Sequence, residues 1–459
     1  MSFANKLEDF GNQIALQEDT ENFLTYKELA QRADILSDTI GKSKQFVVIN
    51  CNNNINTIIA YMAALRGGHA ALMIDSDLDS ALFTNLVNHY KPDGIIKTDS
   101  DIGIHYQKLG KQGTPIHPDL ALLLSTSGST GSPKLVKLTL KNLQSNADSI
   151  AEYLQLDSSE SPITTLPLHY SYGLSIINSH LLVGAKILLT SEPVVSKEFW
   201  SFFKEAQATS LAGVPYTYEI LKRLRIERME LPSLRYMTQA GGKLSLPLVK
   251  HFANIAKDKN IRFYTMYGQT EATARISYLP AEKVLTKAGS IGIPIPNGKI
   301  TLEDTSGKII ETPETEGELI YQGDNVMMGY AESAEDLVLG DQQKGILRTG
   351  DIAKYDHDGF YYITGRLKRF IKIFGNRVNL EEIEHDLCTK GFECKCVGED
   401  NLLVIATLKG DDNEAIQQYI TEKYHFHHSV IKVFIIKKFP VNSSGKTQYS
   451  QLFDLYNNV

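Results

Sequence analysis

Long apolar runs are missing from this chain. None reaches the roughly 18–20 residues that cross a bilayer, and the start, MSFANKLEDFGNQ, holds no apolar signal core. The expectation is a cytoplasmic protein without a membrane span. Cysteine is scarce at four in 459 residues, and Cys51, Cys388, Cys394 and Cys396 are too few and too clustered for a disulfide framework. Zinc held by Cys394, Cys396 and the His425, His427, His428 group is disfavoured, because C-x-C lacks the usual C-x2-C turn. A basic excess is missing too. The net charge of −7 argues against a general binder of nucleic acid or anionic membrane. No tract is polar or repetitive enough to read as a disordered linker or a repeat array.

What is there is an ordinary globular composition, 42% apolar and 22% charged, in a chain longer than one core usually accommodates. From Thr25, TYKELAQRADILSDTI reads as an amphipathic helix with Thr25 as N-cap and Glu28 completing a capping box. QFVVINC and HAALMID read as buried strands around the helix NTIIAYMAALRGG, and further strands and helices alternate to about residue 283, an α/β pattern. Beyond it, short segments punctuated by Gly, Pro and Asp (GSIGIPIPNGKITLED, GELIYQG, AKYDHDGFYYIT) suggest a small antiparallel barrel or sandwich. A composition break near GRLKRFIKIFGNRVN separates residues 1–366 from a small α+β domain of residues 367–459.

One stretch looks made for phosphate. STSGSTGSPK, from Ser125 to Lys134, follows an apolar strand but fails the G-x4-G-K-[ST] test: Gly128 and Gly131 are two residues apart, Lys134 follows Pro133, and KLVKLT reads as a strand. A helix begins only after Thr139. A strand-loop-strand of this composition would hold phosphate through loop N–H groups, hydroxyls and one lysine, an anion nest. A plain Ser/Gly hairpin remains an equal reading of the stretch alone.

The rest of the chain removes that ambiguity. STSGSTGSPK resembles the phosphate loop of the adenylate-forming superfamily, which comprises acyl- and aryl-CoA ligases, peptide-synthetase adenylation domains and luciferases. YGQTEA (Tyr267–Ala272), RTGD (Arg348–Asp351), the hinge-like GRLKRFIKIFGNRV and the late PVNSSGKT follow in that family's order, over roughly residues 24 to 450. The resemblance implies an α/β fold, with a large N-terminal domain of two α/β subdomains plus a small β-barrel and a small, mobile α+β C-terminal domain. It describes a compact, stand-alone member with no attached carrier domain.

The resemblance also implies roles. Thr126, Ser127, Gly128, Ser129, Thr130, Gly131 and Lys134 would grip the β- and γ-phosphates of ATP. Glu271 would ligate Mg2+, a hard cation suited to carboxylate oxygen, and Thr270 would offer a hydroxyl to phosphate. Gly241 and Gly242 would let backbone approach the adenine, with Tyr267 and Gly268 on its other side. Asp351 and Arg366 would reach the ribose. Lys446 would lie between the substrate carboxylate and the α-phosphate and neutralise charge during attack. Lys372 would serve thioester formation after the small domain turns about Lys368, which opens a thiol channel beside Gly375.

LPLHYSYGLS (Leu166–Ser175) resembles the block that gates the acid pocket. His169 is its candidate gate, with Tyr172, Gly173, Tyr216, Gln239, Ala240 and Met266 as lining. A histidine between two tyrosines is also readily a packed one. Amino-acid-activating relatives carry an Asp in this block, and here the segment has no acid. The expected substrate is therefore a carboxylic acid without an α-amino group, passed as acyl-AMP to CoA or to a phosphopantetheine carrier protein. Two other readings stay open: a stand-alone amino-acid adenylation protein, and a nucleotide-binding regulator without catalysis.

Overall fold

The structure, a computed structural model, describes residues 2–19, 21–99, 103–110, 115–125, 134–374, 376–441 and 447–457. The chain divides into two compact units, Met1–Lys299 with Tyr321–Leu347, and Ile300–Ile320 with Arg348–Val459.

The first unit is built on two large sheets. A seven-stranded sheet has at its centre Leu120–Ser125, Ala70–Asp75, Phe46–Cys51 and Gly94–Asp99, which run parallel. The first three are largely continuous apolar runs because both faces are covered, whereas Gly94–Asp99 exposes Lys97 and Asp99. Leu135–Thr139 and then Gly329–Ala331 extend the sheet antiparallel at one edge. The second sheet, of nine strands, has Arg262–Tyr267, Tyr236–Gln239, Ser210–Gly213 and Pro162–Ile163 in parallel register. Helices Leu140–Leu154 and Ser171–Leu182 pack against each other. One continuous apolar cluster joins Val47 and Leu122 of the first sheet, Leu143 and Leu174 of these helices, and Ile187 of the second sheet. Each such side chain contributes on the order of 1.5–3 kcal/mol by leaving water.

Local sequence sets the ends of these elements. The Thr25 hydroxyl accepts from Glu28 N–H at 3.2 Å while the Glu28 carboxylate accepts from Thr25 N–H at 2.9 Å, so helix Tyr26–Ile40 begins where the capping box puts it. Thr139 and Asn142 form the same reciprocal pair at the start of Leu140–Leu154.

In the second unit the foreseen small barrel is a four-stranded sheet, ordered Lys299–Glu303, Gly317–Gln322, Ile346–Tyr355, Tyr361–Arg366. It curls so that the Tyr361 hydroxyl donates to Ile300 O at 3.1 Å on the opposite edge strand. A side-chain bond, with no further ladder among the described residues, joins the two edges. A three-stranded sheet (Cys394–Glu399, Leu402–Thr407, Ile431–Ile435) with helices Leu380–Thr389, Asn413–Tyr424 and Tyr449–Asn457 completes the unit. Contacts group residues 348–366 with residues 367–459, whereas the sequence places the break after 366. The reason is local: Asn379 Nδ2 donates to Thr364 O at 3.0 Å, and strand Tyr361–Arg366 lies against helix Leu380–Thr389.

All four cysteines are free thiols, and Cys51, Cys394 and Cys396 are buried. No described helix is long and apolar enough to cross a membrane.

Candidate functional site

In the first unit the YGQTEA segment leaves the buried strand Arg262–Tyr267 and makes a single turn, Thr270–Ala272. A Cβ at Gly268 would stand 1.8 Å from Ala274 O, so only glycine lets the chain double back here. Thr273 and Ala274 follow with φ of 54° and 103°, a strained pair for residues with side chains. Asn325, buried, holds the turn: its Nδ2 donates to Ala272 O at 2.7 Å and to Arg275 O at 2.8 Å, and its own carbonyl accepts from the Thr273 hydroxyl at 2.6 Å. Met327 N–H donates to the Glu271 carbonyl at 2.9 Å.

Among the described residues the Glu271 side chain has one donor, a neutral one. The Tyr330 hydroxyl gives it a bond of 2.8 Å, and Tyr330 sits on the Gly329–Ala331 edge strand, opposite Val136. Burial, then the carboxylate beside it, push the phenol's pKa up, so it stays a donor. Lys134, the last residue of the phosphate-loop stretch, lies 3.8 Å from the centre of the Tyr330 ring and 3.2 Å from Glu332. Glu332, Lys134, Tyr330 and Glu271 thus form a continuous chain of contacts. Thr126, Ser127, Gly128, Ser129, Thr130 and Gly131 lie outside the described residues. The Thr270 hydroxyl is 3.2 Å from that of Ser171, at the first turn of helix Ser171–Leu182.

The residues expected near adenine and acid fall into two groups. Gly241 has φ +83°, and a Cβ there would meet the Tyr170 hydroxyl at 2.6 Å. Gln239 is buried, and its Nε2 donates to Ala240 O and Gly242 O, at 3.2 and 2.9 Å, so it fixes this glycine turn. Tyr267 is half-buried, with Gln269 Nε2 donating to its hydroxyl at 3.3 Å. Gly173 and Gly242 are backed by Pro167 and Pro215. Tyr216 is exposed on the first turn of Pro215–Arg223. Tyr172 and Met266 differ from expectation in that their polar atoms are committed to the fold. The Tyr172 hydroxyl bonds Thr238 Oγ1 at 2.8 Å, and Met266 Sδ accepts from the Tyr153 hydroxyl at 3.0 Å.

His169 is mostly buried, with Nε2 3.6 Å from Asp75 Oδ2 at the end of strand Ala70–Asp75, and with no partner for Nδ1 among the described residues. Burial lowers its pKa, and Asp75 only partly opposes this, so the ring is neutral at pH 7. The segment Leu166–Ser175 carries no acid of its own, but the fold brings it Asp75 from nearly a hundred residues upstream.

In the second unit Asp351 follows Gly350 and is directly opposite Arg366 across the antiparallel pair, with Oδ1 2.7 Å from Arg366 Nε. Asp351 is buried while Arg366 is half exposed. Lys372, exposed on strand Phe370–Ile373, has its backbone clamped: its N–H donates to Asp400 Oδ1 at 2.8 Å and its carbonyl accepts from Asn401 N–H at 2.7 Å. Lys368 belongs to the single turn Leu367–Arg369. Lys446 and Gly375 lie outside the described residues.

Sequence reasoning missed Tyr330, Asn325, Asp75 and Arg275, and it noted Tyr170 only as a neighbour of His169. Tyr330 had a weak local signal, a tyrosine beside Gly329 in GYAE. The others have none, because their neighbours come from distant segments.

The donor set suits the groups the resemblance names. Glu271 offers a hard carboxylate whose described bonds leave one oxygen without a donor, the chemistry of a Mg2+ ligand. The turns at Gly241 and Gly268 need glycine because a Cβ would strike Tyr170 and the Ala274 carbonyl.

The family model described as AMP-binding enzyme matches residues 107–331. The oxalate–CoA ligase of Arabidopsis thaliana is 30% identical over 349 residues, 72% of this chain and 67% of that protein. The 2-succinylbenzoate–CoA ligase of Bacillus subtilis strain 168 is 27% identical over 84% of this chain and 78% of its own length. In fold, the chain is similar to O-succinylbenzoate coenzyme A synthetase from Bacillus subtilis in complex with AMP, with a TM-score of 0.80, 22% identity and 98% of each chain covered. With the motif order and the Glu271 turn, these likenesses carry one conclusion: the chain belongs to the family of AMP-binding, adenylate-forming enzymes.

Proposed function

We propose that this chain, an AMP-forming acid–thiol ligase that uses ATP, Mg2+ and CoA, activates a carboxylic acid without an α-amino group and passes it to CoA in the cytoplasm. The observation that carries the reading is the Glu332–Lys134–Tyr330–Glu271 chain of contacts, in which a lysine from the phosphate-loop stretch and a carboxylate with spare acceptor capacity share one tyrosine. Free cysteines fit a reducing compartment. The acids named in the relatives, oxalate and 2-succinylbenzoate, have no amino group.

In the first half-reaction a carboxylate oxygen of the acid attacks the α-phosphorus of ATP, the bond to the bridging oxygen breaks, and pyrophosphate leaves with the electron pair. Lys134 and the loop of residues 126–131 hold the departing phosphates, and Thr270 offers them a hydroxyl. Lys446 balances the charge that grows as two anions meet. Mg2+, when bound, would be held by Glu271 and would supply further charge neutralisation. Asp351 accepts hydrogen bonds from the ribose hydroxyls, kept in place by Arg366. Gly241, Gly242 and Tyr267 flank the adenine, and His169 gates the acid. In the second half-reaction the CoA sulfur attacks the acyl carbon and AMP leaves. Lys372 serves this step, and residues 367–459 turn about Lys368 between the two.

Two measurements test this. Pyrophosphate exchange into ATP across simple and amino acids should be driven by simple acids; exchange driven only by amino acids would sink the proposal. Lys446→Ala should lose exchange at least about 100-fold yet still convert synthetic acyl-adenylate to thioester, and Lys372→Ala should do the reverse. Equal loss of both half-reactions in either variant would overturn the division of labour.

A further inference from the structure

Arg275 is 2% exposed, and no described carboxylate pairs with it. Its backbone is fixed by Asn325, which donates to Arg275 O, and by the strained residue Ala274 before it. Its guanidinium lies 4.2 Å from the centre of the Tyr172 ring. Nε has no hydrogen-bond partner among the described residues, Nη1 reaches Ala274 O at a long 3.5 Å, and the guanidinium lies within hydrogen-bonding reach of the Tyr153 hydroxyl. Around it stand Tyr153, Tyr170 and Tyr172. Burial pushes each of these phenols up to about 12, against the downward pull of Arg275, so they stay neutral and cannot balance its charge.

A guanidinium cannot shed its proton to escape this, and an unpaired buried charge is among the most costly features a fold can hold. A fold keeps such a group where something else brings the counter-charge. The surroundings say what that is: Tyr172 and Gly173 share the acid-gating helix, the Arg275 Cα lies beside Gly268, and the Tyr170 hydroxyl abuts Gly241. A cation here is also the wrong partner for an α-ammonium group.

We infer that Arg275 is the specificity-determining residue that binds a second carboxylate of the substrate, so that the acid activated is a dicarboxylic acid. Planar, two-point recognition of a carboxylate is what a guanidinium provides. The ring of Tyr172 lies against the guanidinium, and Nε is the nitrogen left without a partner among the described residues. The inference rests on the ligase reading and extends it.

Acids paired to differ in one carboxylate test it: hexanoate with adipate, and 3-benzoylpropionate with 2-succinylbenzoate. Thioester formation by the wild type should favour the diacid of at least one pair by about 30-fold or more in kcat/KM, the scale of a charge-assisted bond gained or lost. Arg275→Met should erase that ratio, chiefly through KM of the diacid, and Arg275→Lys should keep part of it. Thermal shift with each acid and AMP reads the same preference without turnover. Thioester formation from monoacids in preference to diacids overturns the inference and leaves the ligase reading standing, as does an Arg275→Met loss equal for both members of a pair. Exchange confined to amino acids overturns both. If Arg275→Met fails to fold, the wild-type ratio and Arg275→Lys decide.

Discussion

Each unit of this protein buries an arginine against a tyrosine ring, Arg275 on Tyr172 at 4.2 Å and Arg369 on Tyr449 at 3.7 Å, and each leaves Nε without a hydrogen-bond partner among the described residues, but only Arg369 has described carboxylates beside it. Arg369 has Glu384 at 2.6 Å and Glu381 at 3.7 Å, and it donates to Cys396 O at 3.1 Å. Glu384 in turn accepts from Cys396 N–H at 2.7 Å and from the Tyr449 hydroxyl at 3.2 Å. That network is closed in charge, although Arg369 Nε and Nη1 have no hydrogen-bond partner among the described residues, and it ties strand Cys394–Glu399 to two helices. Arg275 has a ring and, among the described residues, no acid. A charge met within the unit serves the fold, whereas one left unmet is a demand that a ligand can meet.

The sharpest test of the contrast removes the acid from the closed network. Glu384→Gln leaves Arg369 buried beside only the more distant Glu381, and the loss in stability should be about 3–5 kcal/mol, the range for breaking a buried pair from one side. Urea denaturation measures it, with amide exchange of Leu380–Thr389 to localise the change; a loss below about 1 kcal/mol would show that the network is ornamental. For the ligand-free protein the open site should respond with the opposite sign. Arg275→Met replaces an unpaired charge with an apolar side chain of similar reach, and stability should rise by about 1–2 kcal/mol. A comparable fall would mean that Arg275 is a structural stack on Tyr172, and the two arginines would then be alike.

How much of this was legible beforehand depends on how local the cause is. Thr25 with Glu28, and Thr139 ahead of its helix, announce helix starts through neighbours three residues away, and LPLVKHFANIAKD matches helix Leu246–Asp258 end to end. PITTLPL reads as a full strand but pairs only at Pro162–Ile163, because proline lacks the N–H that continues a ladder and the chain must free Leu166 and Pro167 to back the next helix. Tyr330 reaches Glu271 because Gly329–Ala331 adds to the Leu135–Thr139 edge, a pairing across about 190 residues that no local pattern encodes. Arg275 was invisible for the complementary reason. In a sequence it is one arginine after TEATA, and only the structure shows that no acid comes to meet it.

Buried bases need not wait for a ligand if they can give up their proton, and His180 shows the alternative inside the first unit. It is buried on helix Ser171–Leu182, with Nδ1 2.7 Å from Ile176 O and Nε2 2.9 Å from the Tyr236 hydroxyl. A carbonyl can only accept, so Nδ1 donates, and Nε2 is free to accept from the hydroxyl as a neutral ring. Burial accordingly holds its pKa down to about 4, from an ordinary 6.5. The folded state therefore resists a proton that the unfolded chain takes up below pH 6.5, and stability falls as pH drops through that window. At pH 5.5 the difference is about 1.4 kcal/mol relative to pH 7.5. His169, with its pKa also lowered, adds in the same direction. Urea denaturation of the wild type and His180→Gln at the two pH values should show the variant losing about 1.4 kcal/mol less on acidification; equal losses would assign the acid sensitivity elsewhere. Histidine can meet burial by becoming neutral. Arginine keeps its charge across this whole range, which is why the same pH step should leave the demand at Arg275 unchanged.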